Sequence, residues 1–73
     1  MKTLREWRLD RLLSVRGLAA KSGVTAKTIV DLEYGRRTPH YDTMRQLCAA
    51  LDVRPGEVTE FAEALEERGK DAA

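Results

Sequence analysis

The sequence predicts an all-α fold, five short helices packed as one compact domain. Three observations predict it. The hydroxyl residues Thr3, Ser14 and Thr25 each stand just ahead of a stretch with helical spacing, where they can cap a helix start. Met44, Leu47, Cys48 and Leu51 recur at i, i+3, i+4 and i+7, the strongest amphipathic pattern in the chain. Nothing in the sequence suggests a strand of more than a few residues.

The first segment is expected from about Thr3 to Leu13. Thr3 and Glu6 have the spacing of a capping box, and Leu4, Trp7, Arg8 and Leu12 fall at helical spacings on one face. Ser14 caps a second segment, about Val15 to Lys21, and Gly23 closes it in the left-handed conformation that glycine accepts. Thr25 caps a third, about Ala26 to Tyr34. There Ile29 and Leu32 point one way, while Lys27, Thr28 and Asp31 lie away from them. Gly35 stops this helix, and Arg36-Arg37-Thr38-Pro39 forms a basic loop, since proline biases its predecessor towards extended geometry. The fourth segment spans Tyr41 to Leu51. Pro55 suits the first turn of a fifth, whose apolar stripe is Val58, Phe61 and Leu65 and whose polar surface is rich in glutamate. The domain is expected over residues 1–68, with 69–73 as a frayed tail.

Composition narrows the function classes. Seventy-three residues bury a modest core with little room for an enclosed catalytic pocket. No run of 18 apolar residues occurs, so no membrane span is expected. The early charges at Lys2, Arg5, Glu6 and Arg8 do not suit a signal peptide. The single Cys48 allows neither an internal disulfide nor a multi-cysteine metal site. His40 and Cys48 are not placed as a catalytic pair, so no enzyme and no cofactor are expected. The net charge of +1 hides an asymmetry: residues 1–39 carry nine Lys/Arg against four Asp/Glu, and residues 40–73 four against eight. A basic half of this kind suits a polyanion.

From Ser14 to Pro39 the order is helix, tight turn, helix, basic loop. That is the grammar of a helix-turn-helix, which places its second helix in the major groove of DNA. Around it stand further marks: Arg8 in the first helix, Leu18-Ala19 in the second, Gly23-Val24-Thr25 at the turn, then Ile29, Leu32-Glu33, Gly35 and Pro39, and later Leu47, Leu51 and Val53. With these residues at this spacing from Leu4 to Val58, the chain resembles the lambda-repressor-like helix-turn-helix family, the XRE class. The resemblance implies a five-helix domain that binds double-stranded DNA, usually as a homodimer. It implies a cytoplasmic protein working on bacterial or phage nucleoid DNA. Three positions depart from the family's usual pattern: Val15 stands where glutamine is common, Gly17 where glutamate is frequent, and Ala26 offers no polar reader.

The candidate base contacts are Lys27, Asp31, Thr28, Ala26 and Val30. Lysine donates to guanine O6 and N7, a carboxylate accepts from cytosine N4, and valine can meet a thymine methyl. Lys27 and Asp31 can equally form an ordinary i, i+4 ion pair. The candidate phosphate contacts are Ser14, Val15 and Arg16 at a helix N-terminus, Thr25 at the next, and Arg36 and Arg37 in the basic loop. In the resembling family the positions of Arg8 and Glu33 commonly hold a structural ion pair. Phe61 and Leu65 are candidates for a dimer surface or for completing the core. The rival class is a protein-interaction module, a co-regulator or antitoxin-like adaptor, that docks a protein partner on the acidic fifth helix.

Overall fold

The computed structural model describes residues 1–71. Its helices are α1 (Leu4–Asp10), α2 (Val15–Ser22), α3 (Ala26–Glu33), α4 (Tyr41–Leu51) and α5 (Thr59–Asp71), with a 3₁₀ turn at Pro55–Glu57. Among the described residues the extended pairing is a single parallel bridge between Lys2 and Val58.

The capping box opens α1 as its spacing predicts. Thr3 Oγ1 accepts from the Glu6 N–H at 3.1 Å, and Glu6 Oε1 accepts from the Thr3 N–H at 2.8 Å. The helix ends earlier than expected. Leu12 turns into the left-handed region with φ 58° and is 92% exposed, so it leaves the apolar face assigned to it. The cause is a Schellman closure: the Leu13 N–H bonds to the Arg8 carbonyl and the Leu12 N–H to the Leu9 carbonyl, both at 3.0 Å. The same closure ends α3 with a glycine in the left-handed position. Gly35 has φ 73°, and the Arg36 N–H reaches the Asp31 carbonyl at 2.8 Å.

The fifth helix is also shorter at its start. Pro55 opens a separate 3₁₀ turn, Val58 returns to extended geometry, and α5 begins at Thr59. The Val58 backbone is held there by its bridge to Lys2, which a helical residue could not make. At its far end α5 runs through Gly69 to Asp71, past the start of the expected tail. Ala72 and Ala73 of that tail lie outside the described residues.

The core collects the apolar stripes of all five helices. Leu4, Leu18, Ile29, Leu47, Leu51, Val58 and Phe61 have no accessible surface, and all four stripe residues of α4 are buried. Phe61 is therefore core and not surface, which removes it as a dimer contact; its ring fills the space between the helices. Leu65 is half-buried, packs on the core edge and borders a shallow hollow with Tyr41, Met44, Arg45 and Pro55. The N-terminal elements are tied to the C-terminal ones through polar groups. Arg11 Nε donates to the Leu51 carbonyl at 2.9 Å and Trp7 Nε1 to the Glu57 carbonyl at 2.8 Å. The Leu4 N–H donates to Glu60 Oε1 at 2.8 Å, and the Thr59 N–H to the Lys2 carbonyl at 2.9 Å.

Candidate nucleic-acid interface

The interface is built on the α2–α3 unit. Ser14 caps α2, its Oγ accepting from the Gly17 N–H at 2.9 Å. A Cβ at position 17 would lie 3.2 Å from that Oγ, so glycine keeps the cap uncrowded. Gly23, at φ 80°, closes α2 and swings the chain into Val24, which is buried. Thr25 then caps α3, accepting from the Thr28 N–H at 3.3 Å. Ile29 and Leu32 anchor α3 in the core, and Lys27 stands on its outer side, 86% exposed at the side chain.

Arg8 sets the position of this unit. Its Nε and Nη2 donate to the two carboxylate oxygens of Glu33 at 2.7 and 3.1 Å, and its Nη1 donates to the Leu13 carbonyl at 2.9 Å. One guanidinium thus joins the end of α3 to the residue just before the α2 cap. The pair is buried, with side-chain exposures of 9% and 4%. The hydrogen bond to Glu33 raises the Arg8 pKa above its ordinary value, and burial opposes that rise.

This geometry agrees with a family comparison. A family model described as helix-turn-helix matches residues 4–58. The chain belongs to the lambda-repressor-like, XRE-class helix-turn-helix family. No curated protein and no solved structure matches the chain. As a member of this DNA-binding family, the chain is a DNA-binding helix-turn-helix domain, with α2 and α3 as its two helices.

In this helix-turn-helix domain the predicted contact residues fall into two connected sets. Asp31 lies between two cations, its Oδ2 3.8 Å from Lys27 Nζ and its Oδ1 3.7 Å from Arg36 Nη1. The Asp31 side chain is only 18% exposed. Arg36 also lies over the Tyr34 ring, 5.0 Å from its centroid. The second set is a chain of hydrogen bonds that sequence reasoning missed. Thr25 Oγ1 donates to Thr28 Oγ1 at 2.8 Å, and Arg37 Nη1 donates to the same Thr28 oxygen at 2.8 Å. The nine-residue separation of Thr28 and Arg37 matches no helical period; only the Gly35 turn brings them together.

The remaining candidates stand apart from these sets. Arg16 is exposed on α2, while the Val15 side chain is half-buried against the core, leaving its backbone N–H as its polar group at the helix start. Ala26 and Val30 are half-buried. Among the described residues no cluster of His, Cys, Asp and Glu could hold a metal, and no helix is long and apolar enough to cross a membrane. Cys48 is a buried free thiol, and burial chiefly, with Glu57 nearby, pushes its pKa up to about 11.

Proposed function

We propose that this domain is a sequence-specific regulator of transcription that binds double-stranded DNA with α3 in the major groove. The observation that carries this reading is the position of Lys27, Thr28, Arg36 and Arg37. They stand on one outward run of α3 and its following turn, and the buried Arg8–Glu33 pair fixes that run against the start of α2. Arg36, Arg37, Thr25 and the α2 start at Ser14, Val15 and Arg16 supply backbone clamping, and Lys27 with Thr28 supplies base readout. A homodimer would present two copies of α3 about 34–36 Å apart, matching half-sites one helical turn apart. Leu65, in the hollow between α4 and α5, is the remaining candidate for the contact between copies.

The test is selection of bound duplexes from a random library, with affinities of the winners at two salt concentrations. A palindromic consensus and a steep fall of affinity with salt are expected. Changing Arg36 and Arg37 together to Ala should weaken all sequences alike and flatten that slope. An effect confined to one operator would remove their clamping role.

The second reading, a protein-interaction module, draws on the exposed Glu63, Glu66 and Glu67 of α5. A partner docked there would bind without DNA and without α3, so Lys27 and Arg36 substitutions would leave it unchanged.

A further inference from the structure

We propose that the Lys27 ammonium is the one unengaged polar reader on α3, so that it selects a guanine edge, with Asp31 as a positioning residue. This deepens the DNA-binding reading above and rests on it.

On α3, Ile29 and Leu32 are in the core, and the Glu33 carboxylate is bound by Arg8. Ala26 and Val30 bring no polar side-chain atom. Three polar side chains remain. The Lys27 ammonium has three donors and no acceptor. Thr28 Oγ1 lies 2.8 Å from both Arg37 Nη1 and Thr25 Oγ1, so its hydroxyl is engaged within the domain. Asp31 is the one acceptor, and a cation stands at each of its oxygens, at 3.8 and 3.7 Å, with 18% of the side chain exposed.

The bases differ in what they present to such a surface. Cytosine and adenine turn an amino group into the major groove, a donor that would face donors. Thymine presents one acceptor, O4, beside its methyl group, whereas guanine presents O6 and N7, two adjacent acceptors that one ammonium can bridge. To read cytosine, Asp31 would have to give up Lys27 or Arg36 in the presence of phosphates, which repel it. Held where it is, its charge instead keeps the flexible Lys27 stem over one spot of the groove.

The experiment repeats the duplex selection with the full chain, Lys27→Ala, Asp31→Asn and the double variant. Expected is a guanine in the unaltered chain's consensus whose preference falls about 5- to 150-fold in Lys27→Ala, the range of one good base contact. Asp31→Asn should weaken preference at that same base pair, and the double variant should lose no more than Lys27→Ala alone. In the selected duplex, a guanine analogue with carbon in place of N7 should weaken the unaltered chain and leave Lys27→Ala unchanged. If Asp31→Asn alters a base pair that Lys27→Ala leaves alone, Asp31 is itself a reader and the proposal is overturned. If Lys27→Ala weakens every sequence equally, Lys27 touches phosphate and the proposal is overturned while DNA binding stands. If the unaltered chain shows no salt-sensitive duplex binding, the functional reading falls and takes the proposal with it.

Discussion

Arg8 carries a charge into the interior and spends it on three hydrogen bonds, two to Glu33 and one to the Leu13 carbonyl. Glu33→Gln should destabilise the domain by about 3–5 kcal/mol, because it strands a buried guanidinium. Urea unfolding measures this as a lower midpoint. Replacing both partners, Arg8→Met with Glu33→Leu, should recover much of that stability. DNA affinity should stay low in the double variant, because the link between α3 and the start of α2 is gone; restored affinity would show that the pair only stabilises. Cys48 gives a pH signature. Its thiol ionises near 9.0 when unperturbed and near 11 in the fold, so between these values the unfolded chain holds fewer protons and stability falls as pH rises. Thermal melts of Cys48→Ala should show a smaller decline across that window than the unaltered chain. The Lys27–Asp31 pair follows from i, i+4 spacing, whereas the Thr25–Thr28–Arg37 chain depends on a turn angle that no spacing encodes.

Helix ends tested the reading of elements more than helix interiors did. The α4 stripe needed only periodicity, and its bounds at Tyr41 and Leu51 are as the sequence predicts. The end of α1 was hidden because leucine, unlike glycine, gives no signal for a left-handed residue. Leu12 occupies that site without burying its side chain. Leu12→Gly should therefore raise stability by up to about 1 kcal/mol, the relief of left-handed strain offset partly by the entropy of glycine in the unfolded chain. A thermal melt that drops instead would mean that the exposed leucine side chain is itself stabilising. The Pro55 turn was misplaced for a similar reason. Proline at a first helical turn is permitted in α and 3₁₀ geometry alike, and the pairing of Val58 with Lys2 decides between them.

The whole molecule keeps its two charge signs close together. Arg37 and Thr38 face Glu60, Glu63 and Glu67 across a cleft floored by Leu32, Pro39 and Ala64. The acidic wall of α5 thus stands beside the loop assigned to phosphate clamping, and it repels the same backbone. Changing Glu63 and Glu67 together to Gln should tighten non-specific duplex binding by about two- to fivefold at low salt, with the gain fading as salt rises. Unchanged affinity would place the duplex far from α5. The split of charge between the halves was plain in the sequence. That the halves meet in one cleft was not, because it depends on how α5 packs against the Gly35–Pro39 loop.

The ties that hold α1 also couple it to the far end of the described chain. Apart from the bond of Arg8 to Glu33, its polar anchors are the Leu51 and Glu57 carbonyls and the Glu60 carboxylate. These partners lie 40, 50 and 56 residues further along the chain, so the docking of α1 rests on contacts of high sequence separation. The α2–α3 unit and α4, by contrast, pack against near neighbours in the chain. Whatever loosens α5 therefore loosens α1, and through the Arg8–Glu33 bonds it reaches α3.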